Sequence, residues 1–88
     1  MKESSKHIDN LYEIIQQLNN REDCKIFFED LLTNKELEIL AQRVEAAKLL
    51  KEGKTYVQII KETGISNTTL SRVSKSLQLG EGYKKFVK

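Results

Sequence analysis

The sequence predicts an all-α fold of about five to six helices, and three observations indicate it. Apolar residues recur at spacings of three and four along most of the 88-residue chain. No segment alternates between apolar and polar residues with the period of two that marks a half-buried strand. No proline interrupts the helical patterns. We therefore expect one small helical domain, residues 1–88, with no linker and no internal repeat.

Two short helices are predicted near the N-terminus. The first runs from about Ser5 to Leu18, and Asn19 and Asn20 interrupt the pattern after it. The second runs from about Arg21 to Leu32. Apolar residues at helical spacing support both helices: Ile8, Leu11, Ile14, Ile15 and Leu18 in the first, and Phe27, Phe28, Leu31 and Leu32 in the second.

The third predicted helix is the longest, from about Asn34 to Glu52. Thr33 and Glu36 have the spacing of a capping box at its start, and Gly53 marks its end. Its buried face is expected to be one apolar stripe of Leu37, Leu40, Ala41, Val44, Ala47 and Leu50. Because a chain this short buries little apolar surface alone, we expect residues 1–53 to form the core of a homodimer.

Residues 55–77 have the pattern of a helix-turn-helix. Thr55 and Gln58 form a capping box, Gly64 suits a turn with positive φ, and Ser66 caps a second helix. The apolar residues that would let the two helices cross are Ile59, Ile60, Ile65, Leu70, Val73 and Leu77. An ordinary helical hairpin in a bundle has the same elements and is the alternative.

The composition of the second helix favours DNA binding over that alternative. Its outward residues are Asn67, Thr68, Ser71, Ser74 and Lys75. No acidic residue occurs at positions 64–80, whereas a solvated helix is usually rich in Glu, Lys and Gln. Short hydroxyl and amide side chains stabilise a helix poorly but approach base edges and phosphates closely.

The distribution of charge also favours a nucleic-acid partner for the second half of the chain. Residues 1–50 carry seven basic and ten acidic residues, whereas residues 51–88 carry eight basic and three acidic ones. The basic half contains the predicted helix-turn-helix, where it would attract a phosphate backbone. The alternative for Lys84, Lys85 and Lys88 is a solubilising tail.

The last residues, 78–88, form a short C-terminal segment that is predicted to contain at most one turn of helix. Its aromatic residues need a surface to cover. Either they are buried at the seam of the dimer or they belong to the core of the monomer. These two alternatives, the dimer seam and the monomer core, apply to Phe27, Phe28, Tyr83 and Phe86.

Several classes of protein are excluded by what the sequence lacks. A single Cys24 and a single His7 form neither an intrachain disulfide nor a zinc site, so no metal is expected. No apolar run approaches about twenty residues, so a cytoplasmic protein without a membrane partner is expected, nucleoid-associated when bound to DNA. No nucleophile is paired with a base, so no enzyme is predicted, and Glu36, Glu38 and Glu45 are expected to be solvated charges.

From Leu31 onward the sequence resembles the tryptophan repressor family, in its TrpR-related YerC/YecD branch. The residues that carry the resemblance are LLTNKELEILAQRVEAAKLLKEGKTYVQIIKETGISNTTLSR followed by SKSL, about half of the chain. The resemblance implies an intertwined all-α homodimer of about six helices, in which each subunit presents one reading head to half of a palindromic operator.

A sequence-specific transcription regulator, by resemblance a repressor, is therefore predicted. Asn67, Thr68 and Ser71 are expected to face bases in double-stranded DNA. The other residues expected to contact DNA, mainly near the phosphates, are Thr55, Ser66, Arg72 and Lys75. The alternative is an effector-binding or protein-interaction dimer that does not read DNA sequence.

The resemblance also implies a possible effector site for tryptophan between the reading head and the partner subunit. Arg43 and Arg72 correspond to the two arginines that flank the ligand in the family. Other residues that match the pocket are Leu32, Thr33, Thr69 and Ser76. Where tryptophan-binding members have a glycine after the second arginine, this chain has Val73, which narrows or removes the space. Tryptophan, another small effector and no effector all remain open, and no cofactor is required.

Overall fold

The computed structural model describes residues 5–88 and contains six α-helices in that range. No strand occurs among these residues. The all-α prediction is therefore confirmed, with helices α1 (Lys6–Ile15), α2 (Arg21–Leu31), α3 (Asn34–Lys51), α4 (Tyr56–Thr63), α5 (Asn67–Leu79) and α6 (Gly82–Phe86). The helices form two compact units, one up to Thr33 and one from Asn34 to Lys88.

Side-chain caps set the bounds of α1 and α2 in the first unit. Ser5 Oγ accepts hydrogen bonds from two backbone N–H groups at the start of α1, at 2.9 and 3.2 Å. Helix α1 ends at Ile15, earlier than predicted. After Ile15 the chain continues in a tighter turn, in which the N–H groups of Gln17 and Leu18 donate to the carbonyls of Ile14 and Ile15 at 3.0 and 3.1 Å. Asn20 is extended, and its Oδ1 accepts from the N–H of Asp23 at 2.8 Å, which starts α2.

In the second unit, α3 ends in an arrangement that Gly53 makes possible. Gly53 has a φ of +90°, a conformation that favours glycine. Its N–H donates to the carbonyl of Leu50 at 3.0 Å, and the N–H of Lys54 donates to the carbonyl of Leu49 at 3.1 Å. This Schellman pair satisfies carbonyls of the last turn and turns the chain towards α4.

The core of the second unit lies where α4 and α5 pack on the second half of α3. Its buried residues are Ala46, Ala47, Leu49, Ile59, Ile65, Leu70 and Val73. The partly buried residues that pack against them are Leu50, Ile60, Tyr83 and Val87. All of these side chains are apolar or aromatic, so burial of apolar surface is the main source of the stability of this unit.

Within one chain, the predicted apolar stripe of α3 is buried only over its second half. The members of the stripe that remain exposed are Leu37, Leu40, Ala41 and Val44. Ala47 and Leu50 do belong to the core, but Ala46 and Leu49, which lie outside the stripe, are buried as well. Apolar residues occur on more than one side of α3, and spacing alone does not tell which side α4 and α5 will cover.

Helix α6 is short, and two lysines hold it in place. Lys51 Nζ, at the end of α3, donates to the carbonyl of Lys84 at 3.3 Å and to the carbonyl of Val87. Lys84 Nζ donates to the carbonyl of Gln78 at 3.0 Å. Lys84 therefore contributes to the local structure while it remains exposed, and Phe86 is 74% exposed and lies outside the core.

Candidate nucleic-acid interface

Helices α4 and α5 form the predicted helix-turn-helix, and each of its local signals is present. Thr55 and Gln58 make a complete capping box at the start of α4. Gly64 ends α4 with a φ of +77°, and its N–H donates to the carbonyl of Ile60 at 2.9 Å. Ser66 Oγ then accepts from the N–H of Thr69 at 3.1 Å and starts α5. The N-terminus of α5 is thus fixed by a cap from the chain itself.

The outer side of α5 is a solvent-exposed surface of small polar and basic side chains. Its predicted DNA-contacting residues are all exposed: Asn67, Thr68, Ser71, Arg72 and Lys75. The opposite side of the helix is buried, since Leu70 is 0% and Val73 is 2% exposed. Burial of one side holds the other side outward, so these five residues are presented together on one helix.

Two residues predicted to contact DNA have a structural task as well. The hydroxyl of Thr55 accepts from the N–H of Gln58 at 3.2 Å. The hydroxyl of Ser66 donates to Thr69 Oγ1 at 2.9 Å while it accepts from the backbone of the same residue. Thr55 Oγ1 also donates to Gln58 Oε1 at 3.3 Å. Each hydroxyl proton therefore already has an acceptor within the chain, and donation to a phosphate would replace that contact, whereas the cap uses an oxygen lone pair and can remain.

The residues predicted to hold an effector differ widely in their surroundings. Arg43 is half-buried, and its Nε is buried without a hydrogen-bond partner in the described part of the chain. A buried donor of this kind suits an acceptor from a ligand. Arg72 and Ser76 are exposed, while the half-buried Thr69 is bonded to Ser66. In the first unit, Leu32 is half-buried and Thr33 is exposed.

Val73 is the residue that opposes a tryptophan site. Its side chain is 2% exposed and belongs to the buried core with Ile59, Ile65 and Leu70. The isopropyl group fills the position at which the resemblance requires room for an indole ring. Arg43 suits a ligand, whereas Val73 narrows the room that the resemblance assigns to tryptophan, so the effector stays a prediction.

One residue of this region was not identified from the sequence. Gln42 of α3 donates from Nε2 to the carbonyl of Thr63 at 3.0 Å, at the turn of the helix-turn-helix. No local sequence signal predicts this contact, since the two residues are 21 positions apart.

The described residues offer no support for two other kinds of site. Within residues 5–88 there is no group of three or more His, Cys, Asp or Glu side chains placed to hold a metal ion. None of the helices in that range combines the length and the apolar content needed to cross a membrane.

Comparisons with known proteins agree on one family. The model of the family described as Trp repressor protein matches residues 6–88. The uncharacterized protein YerC of Bacillus subtilis is 47% identical over 75 residues, which are 85% of this chain and 72% of YerC. A crystal structure of a proposed Trp repressor from Staphylococcus aureus has a TM-score of 0.86 and 44% identity, covering 92% of this chain and 82% of its own. A TrpR-like protein from Eubacterium eligens has a TM-score of 0.87 and 39% identity, covering 92% and 84%.

Proposed function

We propose a function for this chain from one premise: it belongs to the Trp repressor family, with YerC as a relative. The function is regulation of transcription by binding a palindromic site in double-stranded DNA. The observation that carries the proposal is the outer side of α5, which is exposed, contains no acidic residue and is fixed by its own cap and core. Repression, and a location on the nucleoid in the cytoplasm, are parts of the same proposal.

The side chains of α5 divide into two groups by their chemistry. Asn67, Thr68 and Ser71 carry short donors and acceptors that suit base edges in the major groove. Arg72 and Lys75 carry charges that suit the phosphate backbone. Base contacts specify a sequence and phosphate contacts position the protein, so the first group sets the operator and the second sets the affinity for DNA in general.

Selection from random DNA tests this proposal. The full chain is expected to enrich a twofold-symmetric motif, and to bind it about a thousandfold or more tighter than random DNA at physiological salt. Binding to both kinds of DNA should weaken as salt rises. Enrichment of no motif, with equal affinity for all sequences, would favour the alternative of a helical interaction module that does not read sequence.

A homodimer is the second part of the proposal, and the exposed apolar side chains of the first three helices support it. These residues are Ile8, Tyr12, Ile14, Ile26, Leu31, Leu37, Ile39, Leu40 and Val44, each at least 36% exposed within one chain. So many large apolar side chains on an 88-residue protein are typical of a surface that a partner covers. A homodimer also suits a palindromic DNA site, because both have twofold symmetry and each subunit can bind one half-site.

Light scattering is expected to give the mass of two chains at micromolar concentration. Replacing Val44, which is 51% exposed on α3, with lysine should shift the protein towards the monomer, because a charge would be buried in the interface. Val57 is 76% exposed on α4, outside the proposed interface, and Val57→Lys is the matched control that should remain a dimer. A monomer mass for the unmodified protein with full helicity would overturn the dimer.

A further inference from the structure

Gln42 joins α3 to the turn between the two DNA-binding helices. Its Nε2 donates to the carbonyl of Thr63, the last residue of α4, at 3.0 Å, and this contact is partly buried. The same Nε2 lies 3.6 Å from the place where a Cβ on Gly64 would stand, so the amide rests against the turn itself. A carbonyl in the last turn of a helix has no partner within that helix, and Gln42 provides one.

The turn is bonded to α4 as well. Thr63 Oγ1 donates to the carbonyl of Ile59 at 2.8 Å and accepts from the N–H of Ile65 at 3.1 Å. Thr63 therefore fixes the path of the chain out of α4, while Gln42 fixes the turn to α3. Helix α5 begins at Asn67, directly after this turn, so the orientation of its first residues depends on both contacts.

The contact of Gln42 adds a directional restraint to the apolar packing that holds α5. The buried side chains between α3 and the other two helices, such as Ala46, Ile59 and Leu70, are held by the non-directional hydrophobic effect. A hydrogen bond, in contrast, has a narrow range of lengths and angles. Gln42 supplies such a directional contact, in a place where a small rotation moves the exposed N-terminus of α5.

We propose that Gln42 is a positioning residue for DNA recognition, which sets the orientation of α5 relative to α3 and thereby the separation of the two reading helices in the dimer. This inference rests on the proposed function. In a dimeric helix-turn-helix protein the two reading helices must match half-sites about 34 Å apart, so the separation decides which palindromes fit. Gln42 thus contributes to specificity without contacting DNA.

Gln42→Met tests the role, because methionine has similar length and volume and lacks the N–H donor. The variant is expected to retain its helicity, its dimer mass, its affinity for random DNA and its salt dependence. Its preference for the selected palindrome over random DNA should fall about tenfold, and palindromes with one base pair more or less between the half-sites should be discriminated less well. Gln42→Glu, whose carboxylate accepts but does not donate, should show the same loss and serves if the methionine variant does not fold.

Ile60→Val is the matched control. Ile60 is a partly buried residue of α4 that packs on the same core, so its truncation lowers stability and leaves the hydrogen bond intact. The control should keep its preference for the palindrome at a melting temperature similar to that of Gln42→Met. Equal loss of preference in both variants would mean that general destabilisation, and not position, is the cause, and would overturn the inference.

Two further outcomes separate this inference from the proposed function. If the unmodified protein prefers a palindrome and both Gln42 variants keep that preference and its spacing, the positioning role is wrong and the function stands. If the unmodified protein prefers no palindrome, the proposed function is wrong. Amide hydrogen exchange then tests separately whether Gln42 holds the turn in place. The amides of Gly64 and Ile65, both bonded within the turn, should exchange about tenfold faster in Gln42→Met, and unchanged rates would overturn the role.

Discussion

Replacing Val73 with glycine is expected to lower the free energy of unfolding by about 2 kcal/mol, through lost burial of the isopropyl group and the poor helix propensity of glycine. Val73 is 2% exposed and lies in the core between α3, α4 and α5, so the loss falls on the second unit, which contains the helix-turn-helix. Thermal or urea unfolding followed by circular dichroism measures the change. Val57→Gly, at an exposed position of α4, is the control. It places a glycine in a helix without removing buried apolar surface.

The same substitution is expected to change the response to ligands. With valine in place, millimolar tryptophan should leave the melting temperature and the DNA affinity of the protein nearly unchanged, because a ligand stabilises a protein only as far as it binds the folded state. Val73→Gly should open room between Arg43 of one subunit and Arg72 of the other in the proposed dimer. A response to aromatic amino acids should then appear or become stronger.

Calorimetric titration of both forms decides the question of the effector. Micromolar binding of tryptophan by the unmodified protein would show that Val73 does not block the site. The unpaired Nε of Arg43 would then be the first group to examine as a ligand contact. No binding by either form would retain the core role of Val73 and would remove the predicted gain of a ligand site.

Lys75→Ala and Thr68→Ala are expected to weaken DNA binding in two different ways. Both residues are exposed on α5. Loss of Lys75 should weaken binding to specific and random DNA alike and reduce the slope of log K against log salt by about one per lysine, or about two per dimer. Loss of Thr68 should weaken mainly the preferred site, by a factor of about ten per half-site, with the salt dependence unchanged.

Lys48→Ala is the control for charge, because Lys48 is exposed on α3 and lies outside the helix-turn-helix. It should have little effect on the salt slope. Binding isotherms for one palindrome and one scrambled duplex, each at several salt concentrations, give all the required slopes. If Lys75→Ala and Thr68→Ala reduced specific and random binding in the same proportion, the division of α5 into base-contacting and phosphate-contacting residues would be wrong.

Local signals in the sequence predicted the helix-turn-helix well. The capping box of Thr55 and Gln58, the glycine turn at Gly64 and the cap at Ser66 depend on residues at most a few positions apart, and each is present in the structure. The burial of Leu70 and Val73 followed from helical spacing in the same way. These features depend on short-range geometry, so one sequence is sufficient to recognise them.

Contacts between distant residues were not predicted. Helix α3 has apolar residues on several sides, and the side that is buried, with Ala46 and Leu49, is decided by where α4 and α5 pack. The hydrogen bond from Gln42 to Thr63 and the contacts of Lys51 with α6 join residues 21 or more positions apart. The DNA-contacting and effector residues remain predictions, because their roles depend on partners outside a single chain.

A genome-wide binding profile of the tagged protein, recorded in cells grown with and without tryptophan, tests most directly whether α5 reads DNA sequence without an effector. The expected result is a limited set of sites that share one twofold-symmetric motif, with the same occupancy under both conditions. Binding that follows no motif would contradict sequence recognition by α5. A motif that is occupied only when tryptophan is present would contradict the closed core that Val73 forms.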